Sequence, residues 1–317
     1  MANDEKIKAL TDKLESGVKA VFESEQYKAY LKAMSKFHNY SFGNVMLILM
    51  QCPHASAVAG FNKWKKDFGR SVKKGEKGIA IIAPTPYKKL VEREKLDPNT
   101  KKPVIGADGK AEKESVFIQL QSYKVAYVFD VSQTEGRELP SYGIDELTGD
   151  VKNYESMLKA VSSISPVPIA FRPKEESKGC YNHKEQKIYI NEGMTPIDTI
   201  SVLIHEIAHA KLHALPVKDG EVVGKHQKNR RTREVEAESV AYVVSQHFGI
   251  ETGKSSFAYI TGWSKDKELD ELKSSLDCIC KTSGQMIDSI ESNIPELAQQ
   301  KEEAKSKTNI KDKCVSR

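Results

Sequence analysis

Ser201-Val-Leu-Ile-His205-Glu206-Ile-Ala-His209-Ala-Lys-Leu-His213 is an apolar run broken by three histidines and one acid. In a helix, residues i and i+4 share one face a turn apart, so His205 and His209 can converge on a single tetrahedral ion. Glu206 projects beside them, where it can take a proton from a metal-activated water. Ile200, Leu203 and Ile204 before the motif, and Ile207, Ala208, Ala210 and Leu212 after it, make the segment a buried helix. Two unliganded histidines would be costly there. The donor set predicts Zn2+, and zinc that keeps an open position needs a third protein ligand.

The segment Arg233-Glu-Val-Glu-Ala-Glu-Ser-Val-Ala-Tyr-Val-Val244 supplies acidic candidates on a second helix. Projected at 100° per residue, Ala237, Ala241, Val244 and Phe248 form one stripe with Glu234 at its flank, and Glu236 falls on the other side. Glu234 is therefore the expected ligand. Glu238, one turn on, either replaces Glu234 or accepts a hydrogen bond from a ligating histidine. His213 continues the motif face without the glycine and spacing of a three-histidine zinc signature, so it is expected beside the site rather than on the ion. The chemistry these residues suit is hydrolysis of a peptide bond, with Glu206 as general base and proton carrier to the leaving amine. Lys187-Ile-Tyr-Ile190 alternates like a strand after a polar turn at Asn182, which predicts a hairpin whose edge aligns an extended peptide. Tyr181, His226 and Tyr242 are all open candidates for stabilising the oxyanion.

A second feature lies far upstream. Between Lys63 and Lys89 stand nine basic residues, among them Lys63, Lys65, Lys66, Arg70, Lys73, Lys74 and Lys77, against only Asp67 and Glu76. Phe61, Trp64, Phe68 and Tyr87 are interleaved with them. Basic side chains that hold phosphates and aromatic faces that stack on bases are what a single-stranded nucleic acid requires. The same pattern also describes a solvated helix face with its aromatics turned into the core.

The 317 residues, 39% of them hydrophobic, suffice for two domains. The N-terminus has no apolar signal core, and the longest hydrophobic stretch, Val45 to Met50, is too short to span a bilayer. Five cysteines without framework spacing suit a reducing compartment. A cytoplasmic protein with no membrane partner is the expectation.

Along the chain, residues 3–36 read as a helix, 41–50 and 61–68 as shorter ones, and Lys74–Gly78 as a turn of a basic hairpin leading into a strand at 79–82. Residues 91–114 are a polar, turn-rich excursion, with strands resuming at 116–120 and 123–129. A helix from 151 to 163 and a strand near 169–171 precede the motif helix. A compact apolar turn at 257–263 and an amphipathic helix at 267–292 follow, and residues beyond about 299 are expected to be disordered. The fold class is α+β. The expected division is an N-terminal α+β domain over 1–136, a linker at 137–150, a zincin-like domain over 151–264, and a helical extension with a tail over 265–317.

Two parts of the chain resemble known families. Residues 201–244 resemble the ImmA/IrrE-type zinc metallopeptidases, in which the two motif histidines and the first acid of a Glu-x-x-x-acid pair bind the metal; the positions here are His205, His209 and Glu234. The last acid of that pair is Glu238 where the commoner residue is Asn or Asp. Residues 40–136 resemble the single-stranded-DNA-binding domain of ArdC-like antirestriction proteins through Tyr40-Ser-Phe-Gly-Asn44, Phe61-Asn-Lys-Trp64, Val72-Lys-Lys-Gly-Glu-Lys-Gly-Ile79 and Val128-Phe-Asp-Val-Ser-Gln-Thr-Glu-Gly136. The resemblance implies a zinc peptidase from a plasmid or conjugative element that binds single-stranded DNA through Lys63, Trp64, Lys65, Lys66, Arg70, Lys73, Lys74 and Lys77. Its substrate would be a host or regulatory protein. The competing expectation is a protein that protects DNA by occlusion and keeps its zinc for structure; an intact Glu206 argues against it, because a structural ion needs no general base.

Overall fold

The computed structural model describes residues 2–22, 24–106, 109–139, 151–250, 257 and 260–294. Most of the expected linker, the tail beyond 299 and part of the 257–263 turn lie outside the described residues.

The single helix expected over 3–36 is two, α1 (Ala2–Val21) and α2 (Ser24–Lys36). The break turns Phe22 inward against Tyr27 and Trp263, and the Phe22 carbonyl accepts a hydrogen bond from the Thr261 hydroxyl. Helix α3 (Phe42–Gln51) starts at Ser41, whose hydroxyl accepts from the Asn44 amide, and it buries Val45, Met46, Leu47 and Ile48. Strand β1 (Val58–Gly60) leads into α4 (Phe61–Lys66), β2 (Arg70–Val72) and β3 (Ile79–Pro84). Strands β4 (Tyr87–Glu94) and β5 (Lys113–Leu120) follow, then β6 (Tyr123–Asp130) and β7 (Thr134–Gly136).

Strand β6 lies between β1 and β3, and β2 pairs with β7. The basic turn at Lys74–Gly78 therefore joins two different sheets and does not close a hairpin, because the partners of β2 and β3 come from some fifty residues further on. The excursion at 91–114 is an ordered antiparallel ladder, β4 on β5, carried on by bridges Leu96↔Pro103 and Ile105↔Ala111.

The remaining elements are α5 (Val151–Ser163), β8 (Ile169–Arg172), β9 (Gly179–Asn182), β10 (Lys187–Asn191), α6 (Pro196–His213), the small hairpin β11 (Val217–Lys218) and β12 (Glu221–Val222), α7 (Arg230–His247), α8 (Ile260–Ser264) and α9 (Leu269–Asn293). Strand β10 is central, parallel to β8 and antiparallel to β9. The expected hairpin is present, but β10 is not its edge; β9 is.

The described residues fall into two compact units, one drawn from Met1–Thr11 and Ala80–Ala126, the other from Asp12–Ile79 and Tyr127–Arg317. Compaction cuts across chain order, for a visible reason. Helix α2 packs on α7, and α3 packs on α9, so N-terminal helices share a core with the motif helix. Helix α9 is part of that core, burying Leu272, Leu276, Ile279, Met286, Ile287 and Ile290; each such side chain contributes about 1.5–3 kcal/mol. Among the described residues no helix is long and apolar enough to cross a membrane.

Candidate metal centre

Two capped helices bring the site together. Thr195 caps α6 by accepting from the Asp198 amide, with Pro196 in the first turn. Asn229 caps α7 by accepting from the Thr232 amide. The helices pack face to face, with Leu203, Ile204, Ile207 and Ala208 from α6 and Val235, Ala237, Val240 and Ala241 from α7 buried.

At that seam the Nε2 atoms of His205 and His209 lie 3.0 Å apart. Glu234 Oε2 is 3.4 Å from His209 Nε2 and 3.8 Å from His205 Nε2. These three residues can each point a ligand atom at one ion, the atoms lying within 4.8 Å of one another. Glu238 sits on the opposite nitrogen of His205, with Oε2 3.4 Å from Nδ1. It is thus placed to accept a hydrogen bond that turns the Nε2 lone pair toward the ion position. Burial works against a charged His205, but Glu238, Glu206 and Glu234 outweigh it and raise its pKa. A bond from His209 holds the Glu234 carboxyl below its ordinary range. The donor set of two imidazoles and a carboxylate is one that divalent transition metals take.

Behind the histidines runs a buried polar chain that the helical projection did not foresee. His209 Nδ1 is 3.2 Å from His213 Nδ1, and His213 Nε2 is 3.1 Å from Glu236 Oε2. Lys228 Nζ donates to Glu236 Oε1 at 2.6 Å. Glu236 has no exposed surface, yet its carboxyl is held below the ordinary range, because bonds from His213, Lys228 and Ser275 overcome the cost of burial. Burial depresses the pKa of His213. A neutral His213 donating to an ionised Glu236 accounts for both directions, and it leaves His213 Nδ1 to accept from His209.

Glu206 is 7% exposed, and burial lifts its carboxyl above the ordinary range despite His205, His209 and the Tyr181 amide. Two clefts open on it. One of about 480 Å³ is shared with His205, His209, Glu234, Tyr181 and His183; the other, about 350 Å³, includes Glu238 and Tyr242. Strand β9 supplies Gly179 to both. A methyl group on Gly179 would come within 2.6 Å of Val202 Cγ1, so the glycine lets β9 lie against α6. Of the three oxyanion candidates, Tyr181 and Tyr242 line the clefts, one each.

The basic window divides. Lys63, Lys65, Lys66, Lys74 and Lys77 are exposed. Lys73 is exposed too, but its ammonium donates to the Ser132 carbonyl at 2.9 Å. Arg70 is spent on the fold: it donates to the Thr134 hydroxyl and carbonyl and to the Gly136 and Arg137 carbonyls. Trp64 is 1% exposed and its indole donates to the Phe129 carbonyl, so its ring cannot stack on a base. It lies inward because α4 must bury one face against β1 and β2. The exposed aromatic of this helix is Phe61. Exposed Tyr87, Phe117 and Tyr123 stand in the other compact unit.

A histidine-bearing helix, an acid-bearing partner helix and a three-stranded mixed sheet form a metallopeptidase-like arrangement. Residues 166–248 match the family model of the IrrE N-terminal-like domain, and residues 3–129 match that of the N-terminal domain of anti-restriction factor ArdC. The chain thus joins an ArdC-type N-terminal domain to an IrrE-like peptidase domain. A similar solved structure is that of the Mn(II)-bound antirestriction protein ArdC from plasmid R388: 17% identity, a TM-score of 0.50, and coverage of 90% of this chain and 97% of that one. That likeness bears on the fold. An uncharacterized protein of Bacillus anthracis, pXO2-81, is 29% identical over 99% of this chain, which spans 56% of that relative's length.

Proposed function

We propose that this protein is a cytoplasmic, single-stranded-DNA-binding zinc metallopeptidase that serves antirestriction or establishment of a mobile element. The observation that carries the enzymatic reading is the convergence of His205, His209 and Glu234 next to a buried Glu206 that opens on two clefts. His205, His209 and Glu234 would hold the ion, with Glu238 and His213 orienting the imidazoles. Zinc bound there supplies Lewis acidity to the scissile carbonyl and to water. Glu206 takes the proton of the attacking water and hands it to the leaving amine; burial raises its proton affinity toward the range such a shuttle needs. The free edge of β9 aligns the substrate backbone across the clefts. Tyr181 or Tyr242 adds a donor for the oxyanion.

The nucleic-acid part rests on the exposed lysines at 63, 65, 66, 74 and 77, with Lys73 beside them, and on Phe61. Phosphate contacts by such side chains supply affinity without sequence preference. A general base has no use in a structural zinc site, so the placement of Glu206 favours the enzyme over a purely occluding protein. The test is Glu206→Gln, compared with the parent protein on proteins extracted from recipient cells. The expected result is retained zinc and oligonucleotide affinity with cleavage abolished. Equal cleavage by the variant, or equal protection of incoming DNA without it, would remove catalysis from the biological role.

A further inference from the structure

The larger of the two clefts holds more positive charge than the metal centre uses. Its wall includes Arg230 and Arg233, one turn apart at the start of the helix that also provides Glu234. Three other guanidinium groups are satisfied within the fold: Arg70 by carbonyls, Arg93 by Glu114 and Arg172 by Glu175. Among the described residues Arg230 and Arg233 have no side-chain hydrogen bond or ion pair, Arg230 acting on Glu234 only through space. The Nε of Arg233 is buried and finds no acceptor, and the buried Nδ1 of His183 on the same wall has no hydrogen-bond partner. Buried polar groups left unpaired are costly and rare, and here two of them border one open cleft beside Glu206. The smaller cleft differs. Its one lysine, Lys178, is paired with Asp198 at 2.8 Å, and Glu238 adds an acid. Charge is thus lopsided about Glu206, positive and unpartnered on one side only.

Building on the peptidase reading, we propose that Arg230 and Arg233 form an anion subsite that selects peptides carrying a carboxylate close to the scissile bond, on the side of the larger cleft. A guanidinium presents a planar pair of N–H donors that a carboxylate accepts two at a time, with a geometry lysine does not reproduce. With Glu234 committed to the ion, the arginines carry the charge that remains on that wall. The carboxylate can belong to an aspartate or glutamate side chain or to the C-terminus of the substrate; both present the same group.

Three peptidyl hydroxamates separate these cases when titrated calorimetrically into the zinc-loaded, full-length protein. One malonyl hydroxamate ends in alanine amide and has no carboxylate, a second ends in alanine with a free carboxylate, and a third ends in glutamate amide. The expected result is that at least one anionic probe binds about tenfold or more tightly than the neutral one. In the doubly substituted Arg230→Gln, Arg233→Gln protein that ratio falls to about one, and in Arg233→Lys it is intermediate. The anionic probe that wins identifies the source of the carboxylate. Equal affinities for all three probes, or a preference that survives the double substitution, would overturn the subsite and leave the peptidase reading standing. Failure of even the neutral hydroxamate to bind would sink both. A double variant that loses affinity for a single-stranded oligonucleotide while keeping the probe preference would assign the arginines to the nucleic-acid surface and likewise end the proposal.

Discussion

Replacing Glu236 by leucine tests the buried chain behind His209. The substitution removes a fully buried carboxylate that satisfies His213 Nε2 at 3.1 Å and Lys228 Nζ at 2.6 Å. The side chain of Lys228 is 36% exposed and can turn into water, so little of the cost belongs to that pair. The side chain of His213 is 3% exposed and has nowhere to go; stranding its donor costs about 1–3 kcal/mol. The loss extends to the metal centre, because His213 Nδ1 meets His209 Nδ1 at 3.2 Å and fixes that ring. Removing such an orienting partner typically weakens metal binding about 10–100-fold. Urea denaturation of the metal-free protein reads the first quantity, and competition with a chromogenic zinc chelator reads the second. Glu236→Gln should be milder in both, since its carbonyl oxygen still accepts from His213. The carboxyl of Glu236 is held below the ordinary range in the fold. Its stabilisation is therefore present above the unfolded value, about 4.3, and is lost as pH falls through the lower folded value. The parent and Glu236→Gln curves should converge at acid pH. A leucine variant within about 0.5 kcal/mol of the parent, with unchanged zinc affinity, would show that Glu236 neither holds His213 nor orients His209.

Four further outcomes are expected. Gly179→Ala should destabilise the protein by about 1–3 kcal/mol in thermal melts, because its methyl group would press on Val202 and lift β9 from α6, and it should depress cleavage beyond what the stability loss explains. Neutralising Lys63, Lys65, Lys66 and Lys74 together should flatten the salt dependence of single-strand binding by about 0.7 for each phosphate that the variant no longer neutralises. In the same assay Phe61→Ala should weaken binding, whereas Trp64→Ala should lower stability by about 3–5 kcal/mol. A Trp64→Ala protein that folds normally and loses DNA affinity would contradict its assignment to the core.

What the sequence revealed follows how local each signal was. The shared face of His205 and His209 is set by a four-residue spacing within one helix, and Glu234 can be reached from them because α7 presents a flank to α6. Glu236 escapes the projection for the same reason in reverse. A helix packed on one side has a single apolar stripe, but α6, α2 and α9 all pack on α7, so Val235, Glu236, Ser239, Val240 and Val243 are buried as well. Its partners Lys228 and His213 lie eight and twenty-three residues away, and only folding brings them to one carboxylate. Strand pairing was less legible still. The partner of β2 is β7, and β10 adds β8 beyond the β9 of its own hairpin; pairings outside a hairpin depend on loop closure over distances that local alternation does not encode. In the basic window, Trp64 and Phe61 alternate with lysines in the same way, and nothing short of the strand contacts of α4 decides which ring turns inward.

Retention of one divalent ion by His205, His209 and Glu234 is directly measurable. Metal analysis of the zinc-reconstituted, dialysed protein, run beside His209→Ala and Glu206→Gln, tests it most directly. About one zinc per chain is expected in the parent and in Glu206→Gln, and none retained in His209→Ala. No bound metal in the parent, or undiminished zinc in His209→Ala, would contradict it.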